Sequence, residues 1–422
     1  MAAYQAGAQA WAQRGAALLL ATGMLAVAAC APKQKPPVLA PPPPPPPVEA
    51  PKPVPPKPGE VHRIAILVPL SGPNSPVGIS LANAASLALA ETKRTGIRLT
   101  SYDTAALGAG GAANRAIAEG AQLILGPLLA ADVAAARAVA APRSITMLSF
   151  SNDTAVAGSG VYVLGFQPAQ SVARVVEFAS GRGMKRFAGL IPNGIYGQRA
   201  AVAFTRAVSA DGGQVVALTN FARDRAALPA AARSVTDYDA RLKKAGTAAR
   251  RPDGTVAPAS ETLPPVAFEA LLVADSGTIA GAFAPQLARF GAPNGSFLMM
   301  GTELWKTEPG LKDAPGLRGA VFAAVPDQPF QAMASRYRAR FGGTPSRLSS
   351  LSYDAMLLAA SGVDSGWAYG GPFPARLLDD PQGFVGIDGI FRFKGNIAER
   401  GLEVQQVGAQ GFSTVSPAPK GF

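Results

Sequence analysis

Cys30 and His62 are the only thiol and the only imidazole in this chain of 422 residues. Thiol–imidazole and hydroxyl–imidazole–carboxylate nucleophiles need a histidine at the reacting centre, and His/Cys zinc sites need several such ligands. With no second histidine, and with the one thiol at the end of an export-type segment, these chemistries are excluded. The sequence contains no G-x-S-x-G elbow and no G-x-x-x-x-G-K phosphate loop, and the glycine-rich turn Gly108–Gly111 lacks the dinucleotide spacing. Asp379-Asp380 reads as a solvated pair at a chain crossover, not as an acid/base dyad. His62 reads as a surface histidine where the first strand begins. These features predict a non-enzyme that carries neither cofactor nor metal.

Cys30 speaks for location instead. It closes the run Leu25-Ala26-Val27-Ala28-Ala29-Cys30, preceded by an uncharged stretch from Gly15 to Ala29 and by one basic residue, Arg14. A basic start, a short apolar run and small residues at a cleavage point describe an export signal over 1–29. A fifteen-residue run is short of the roughly 20 that a spanning helix needs. The segment V-A-A-C resembles a bacterial lipobox, which implies that Cys30 is acylated and anchors the mature chain in a membrane. The alternative is a signal anchor with a buried, inert cysteine. Residues 31–58 hold fifteen prolines, seven of them consecutive from Pro41 to Pro47. Proline fixes φ and has no amide donor, so 30–58 is expected to be a tether without a fold of its own. An extended polyproline II rod at about 3.1 Å per residue would reach on the order of 80–90 Å.

The formal charge is +12. Removing Arg14 leaves +11, and setting the tether lysines Lys33, Lys35, Lys52 and Lys57 against Glu49 leaves about +8 for the folded part. A basic surface suits acidic partners or anionic envelope polymers. With no dense Lys/Arg run interleaved with aromatics, no nucleic-acid partner is expected.

From Val61 onward short apolar runs alternate with helical stretches. Expected strands are Arg63–Val68, Arg98–Tyr102, Gln122–Leu125, Ile145–Phe150, Val161–Phe166, Phe187–Ile191, Gln214–Leu218, Ala267–Ala274, Ser296–Met300 and Gly319–Val325. Helices are expected at Ser80–Lys93, with Ser80 as N-cap, and at Gly111–Glu119, Ala131–Ala140, Pro168–Arg182, Gly197–Asp211, Leu228–Lys244 and Gly277–Phe290. This rhythm predicts α/β units with parallel sheets in two lobes. Thr247–Pro265 breaks it as a polar insertion, either a mobile surface loop or an arm that orders on a partner.

The segments IAILVPLSGPNSPVGISLANAASLALAE, LILGPLLAADVAAA, MLSFSNDTAV, VYVLGFQPAQ and RFAGLIPNGIYGQRAAVAF resemble, in order and spacing, the type 1 periplasmic-binding proteins. The likeness runs over essentially 61–412. It implies an α/β fold of two lobes, each a parallel sheet flanked by helices, joined by three crossovers near Gln167, Pro326–Pro329 and Leu377–Asp380. The first lobe would comprise 59–166 and 329–378, the second 167–328 and 379–412, with 413–422 a loosely held tail. A ligand cleft would lie between the lobes at the carboxyl ends of the strands.

For that cleft the resemblance implies Ser71, Ser149, Ser151 and Asn152 on the first lobe, and Tyr196, Asp275 and Glu303 on the second. Yet Pro127-Leu128-Leu129-Ala130-Ala131 stands where amino-acid receptors carry hydroxyls, and Asn152-Asp153 replaces a small-residue/Thr step. A ligand carboxylate facing Leu128 and Leu129 would lose donors worth roughly 1–3 kcal/mol each, and Asp153 would repel it. The GPLL step, the lipobox with its proline tether and the ending GFVGIDGIFRFKGNIAERGLEVQQV resemble another branch, the lipoprotein activators of penicillin-binding proteins. That resemblance implies an outer-membrane lipoprotein in the periplasm that stimulates a peptidoglycan synthase. Ala31 in place of Asp after the cysteine implies the same membrane. Trp305, Trp367 and Tyr369 would be either its aromatic anchors or core residues. The alternative is a solute receptor of an ABC importer, binding a small molecule such as an amino acid, amide or short peptide.

Overall fold

The computed structural model describes residues 60–246 and 263–422. Two sheets organise them. The first begins with β1 (His62–Val68), β2 (Ile97–Asp103), β3 (Leu123–Leu125), β4 (Thr146–Ser149) and β5 (Val161–Val163), all parallel. Between them run α1 (Ser75–Thr92), α2 (Thr104–Leu107), α3 (Ala109–Ala118) and α4 (Ala130–Ala140). β1 shows why this region folds as it does. Ile64, Ile66 and Val68 enter one core with α1, while Ala65 and Leu67 enter the core on the opposite face. A strand whose both faces are buried needs the unbroken apolar run that the sequence provides.

The second sheet is built from α5 (Pro168–Gly181), β6 (Arg186–Pro192), α6 (Ile195–Ala210), β7 (Gln214–Phe221), α7 (Leu228–Val235) and α8 (Tyr238–Gly246), then β8 (Ala270–Val273), α9 (Gly277–Arg289), β9 (Leu298–Gly301) and β10 (Val321–Ala324). The chain then returns to the first lobe through α10 (Gln328–Phe341) and α11 (Ser349–Asp364), which pack in the core with α1. Ser80 is not the helix N-cap. α1 starts at Ser75, and Ser80 lies inside it, buried, with its Oγ 2.7 Å from Ser349 Oγ. Its small hydroxyl lets α1 and α11 approach closely. The single helix expected over 228–244 is two, broken at Asp237, whose φ is +48°. Most of the 247–265 insertion lies outside the described residues.

Both sheets are mixed, and their last strands revise the domain limits. β11 (Phe384–Gly386), β12 (Gly389–Lys394) and β13 (Ile397–Arg400) extend the first sheet, β13 pairing with β5 at Ile397↔Val163. β14 (Glu403–Gly408) adds antiparallel to β10, and β15 (Gly411–Ser416) antiparallel to β14. The chain therefore changes sheets at 164–167, at 325–327 and at 401–402. The expected third crossover at 377–380 is wrong, because Leu378 is fully buried in the first core and the strands that follow it belong to the first lobe. Residues 413–416 are not a loose tail but part of β15. Asp379 and Asp380 are exposed, and Asp380 Oδ1 accepts the Gln382 amide in the turn before β11.

The three crossovers converge on one buried ionic cluster. Arg347 Nη2 donates to Asp388 Oδ1 at 2.8 Å, and Asp354 accepts the amides of Ile387 and Asp388 at 2.8 and 3.3 Å. Arg400, from the third crossover, donates to Leu164 O at 2.8 Å and lies over Phe166, beside the first crossover. Arg347 lies over the same ring and over Phe330, which follows the second crossover.

Candidate functional site

In each lobe a proline closes or directly follows the first strand, and the next helix lies directly on that proline's carbonyl. A Cβ on Gly78 would sit 1.8 Å from Pro69 O, and one on Gly197 would sit 1.7 Å from Pro192 O. Only glycine permits this approach. It brings the start of α1 and of α6 down onto the carboxyl ends of β1 and β6. Tyr196 is thereby fixed at the mouth of the second lobe. The two mouths are tied together by Arg199 of α6, whose Nη2 donates to Asp153 Oδ1 of the first lobe at 2.9 Å.

The first-lobe candidates follow β1 and β4. Ser149 is fully buried at the end of β4, donating to Pro127 O at 3.1 Å and accepting the Ser151 amide at 3.1 Å. Ser151 is buried too, and its Oγ accepts the Asp153 amide at 3.1 Å. Asp153 accepts the Ala155 amide at 3.0 Å besides meeting Arg199, so its charge is already partnered. Ser71 is exposed, and its hydroxyl bonds Asp103, a contact that with the Leu70 and Ala105 amides holds that carboxyl below the usual range. Asn152 is exposed on the rim. Leu128 packs against the core, while Leu129 stands 43% exposed where a clamp would need donors.

The second-lobe candidates form their own network. Tyr196 Oη lies 3.1 Å from Thr302 Oγ1 and 3.3 Å from Glu303 Oε1. Ser171 of α5 bonds the other Glu303 oxygen. Burial pushes the Glu303 carboxyl above the ordinary carboxylate range, and burial with the nearby Glu303 charge pushes Tyr196 up as well. Asp275 is buried, its Oδ2 accepting Arg223 Nε and its Oδ1 the Ser276 amide, each at 2.7 Å. The N-terminus of α9, a natural anion site, is filled by Glu308, which accepts the Gly277 and Thr278 amides at 2.8 and 2.7 Å.

The structure thus gathers the expected residues at the strand ends but turns most of them toward one another. Tyr196 and Glu303 meet directly. Ser149 and Ser151 hold the turn after β4, Ser71 holds the turn after β1, and Asp275 meets Arg223. Sequence reasoning missed Ser171, Arg199, Arg223, Thr302 and Glu308. Arg199 lies three residues beyond Tyr196 and so one helical turn away, which was a readable signal; the others come from separate elements. One further reading needs correction. His62 is buried, not a surface residue, because Trp367 and Tyr369 stack on it at 4.3 Å each. Trp305 and Trp367 are core residues, Trp305 donating to Asp275 O at 2.9 Å and Trp367 to Gly371 O at 3.0 Å. Among the described residues no cluster of three His, Cys, Asp or Glu is placed to hold a metal, and no helix is long and apolar enough to cross a membrane.

Comparison with known proteins places this geometry. Residues 62–401 match the periplasmic binding protein family. A putative branched-chain amino acid ABC transporter protein from Rhodospirillum rubrum superposes with a TM-score of 0.69 at 18% identity, covering 84% of this chain and all of that one. LpoA from Haemophilus influenzae superposes with a TM-score of 0.61 at 18% identity, covering 84% of this chain and 59% of its own. At such identities the likeness is one of fold. The uncharacterized protein RP748 of Rickettsia prowazekii is 29% identical over 136 residues, 32% of this chain and only 36% of that protein. The matched span takes in both sheets and the strand ends where the candidate residues stand, so the chain belongs to the periplasmic binding protein family.

Proposed function

We propose that this chain is an outer-membrane lipoprotein, anchored through Cys30, that reaches through the periplasm and activates a peptidoglycan synthase of the penicillin-binding protein class. The observation that carries the reading is that the cleft's polar groups are largely spent on the protein itself. Ser149, Ser151, Asp153, Tyr196, Glu303 and Asp275 each have an internal partner, Glu308 occupies the helix N-terminus, and an exposed Leu129 stands at the clamp position. A solute carboxylate entering here would have to break existing hydrogen bonds, each broken bond leaving a group unsatisfied at roughly 1–3 kcal/mol. The activator-like segments at 126–129 and 383–407 and the proline tether support the same reading. The fold does not choose between it and a solute receptor, since structures sharing it carry both kinds of name.

The receptor alternative makes a different prediction for small molecules. A ligand at a hundred times its Kd stabilises the native state by about 2.7 kcal/mol, which raises the melting temperature by several degrees. We expect the full chain to show no shift against free amino acids, aliphatic amides, short peptides and aromatic acids. A rise of several degrees with any of them, abolished by Tyr196→Ala, would mean that the cleft is a receptor site.

A further inference from the structure

Among the described residues β2 is the open edge of the first sheet, bonded only to β1. It runs seven residues with no register shift, and among the described residues its backbone has no partner on the outer side. Hollows border it on both faces. One, of about 470 Å³, is lined by Arg63, Arg98, Thr100 and Tyr102; the other, of about 440 Å³, has Leu89 and Leu99 beneath Lys93, Arg94 and Arg340. The alternation of Arg98, Thr100 and Tyr102 on one side with Leu99 on the other is that of a pleated strand. The charge is net positive, although Glu119 also lines the first hollow. Arg63, Arg98, Lys93 and Arg340 make no ion pair among the described residues, whereas the carboxylates beside them are engaged, Glu119 by Arg115 and Asp364 by Arg94.

We propose that β2 is a docking edge for an extended acidic segment of a partner protein, which adds to the sheet as a ninth strand. Main-chain hydrogen bonds along the strand would give affinity, and the flanking hollows would give selectivity for alternating side chains. Acidic side chains would meet Arg63 and Arg98 on one face, and apolar ones would fill the Leu89–Leu99 floor on the other. A second copy of this chain is a poor occupant, because edge-to-edge pairing would set these cations against their own kind. The proposal stands whether or not the partner is a peptidoglycan synthase.

The probe is the blocked peptide Thr-Glu-Val-Glu-Val-Glu-Thr, added to the full chain, with hydrogen exchange followed across 97–103. Pairing predicts that amides of this strand exchange at least tenfold more slowly with peptide bound. It also predicts that Arg98→Glu, at an exposed position, weakens binding at least tenfold while leaving the melting temperature in place. A peptide of the same sequence with alternate amides N-methylated keeps its charge but cannot pair, and should bind at least tenfold more weakly. Equal binding by the methylated peptide, protection confined to other segments, or no binding at all would each overturn the proposal.

Discussion

Arg400→Met should destabilise the folded chain by about 3–5 kcal/mol, the range found when one partner of a buried ion network is removed. Arg400 is 6% exposed, and its charge sits beside Asp354 and Asp388, which are 2% and 0% exposed. Methionine fills much of the volume over Phe166 and Phe391 but removes the cation beside Asp354 and leaves Asp388 with Arg347 alone. The penalty should be larger at pH 8 than at pH 5, where the Asp354 carboxyl can take up a proton. Burial, with the neighbouring Asp388 charge, lifts the Asp354 carboxyl from 3.8 to about 7. The native state therefore binds more protons than the unfolded state between these values, so this group's contribution falls as pH rises from about 4 to 7. Asp354→Asn removes that slope, and the variant gains on the parent toward high pH. Urea unfolding of both variants across pH 5–8 measures this. Parallel pH curves for Asp354→Asn, or a loss under 1 kcal/mol for Arg400→Met, would show that the crossover cluster does not hold its charges as described.

Trp305→Ala should cost a similar amount, about 3–5 kcal/mol, by leaving a cavity in the second core. The ring has no exposed surface and presses on Gly301, where a Cβ would lie 2.2 Å from it. Its indole also holds Asp275 O, so removal leaves that buried carbonyl unpaired and loosens the loop carrying Asp275. Trp305→Phe should lose less. A docking residue would behave in the opposite way, with stability unchanged and only partner binding lost. Thermal and urea unfolding of the alanine variant separate the two outcomes.

The central parallel strands were legible because each is a short apolar run between turn residues, buried on both faces; the edge strands β2 and β7 are only partly buried. The five antiparallel strands were not. β11 is three residues long and only half-buried, and β12, β14 and β15 begin or end at glycines that read locally as loop. Their assignment depends on pairings distant in sequence, such as Ile397 with Val163, which no local pattern encodes. The polar pair Asp379-Asp380 therefore looked like a linker between lobes. His62 failed for the same reason, since the rings that bury it come from the far end of the chain. At the cleft, the positions of Ser149, Tyr196 and Glu303 could be read from the motifs. What those groups bond could not, because Ser171, Arg199 and Arg223 arrive from other elements.

The proposed activator role sets a synthase, not a solute, as the target of this protein. It is tested most directly by adding the full chain to a purified bifunctional penicillin-binding protein and following glycan polymerisation and cross-linking. The expected rate rises severalfold and saturates with the chain's concentration, without any small molecule present. An unchanged rate with synthases of its own envelope, together with a solute that raises the chain's melting temperature, would contradict it.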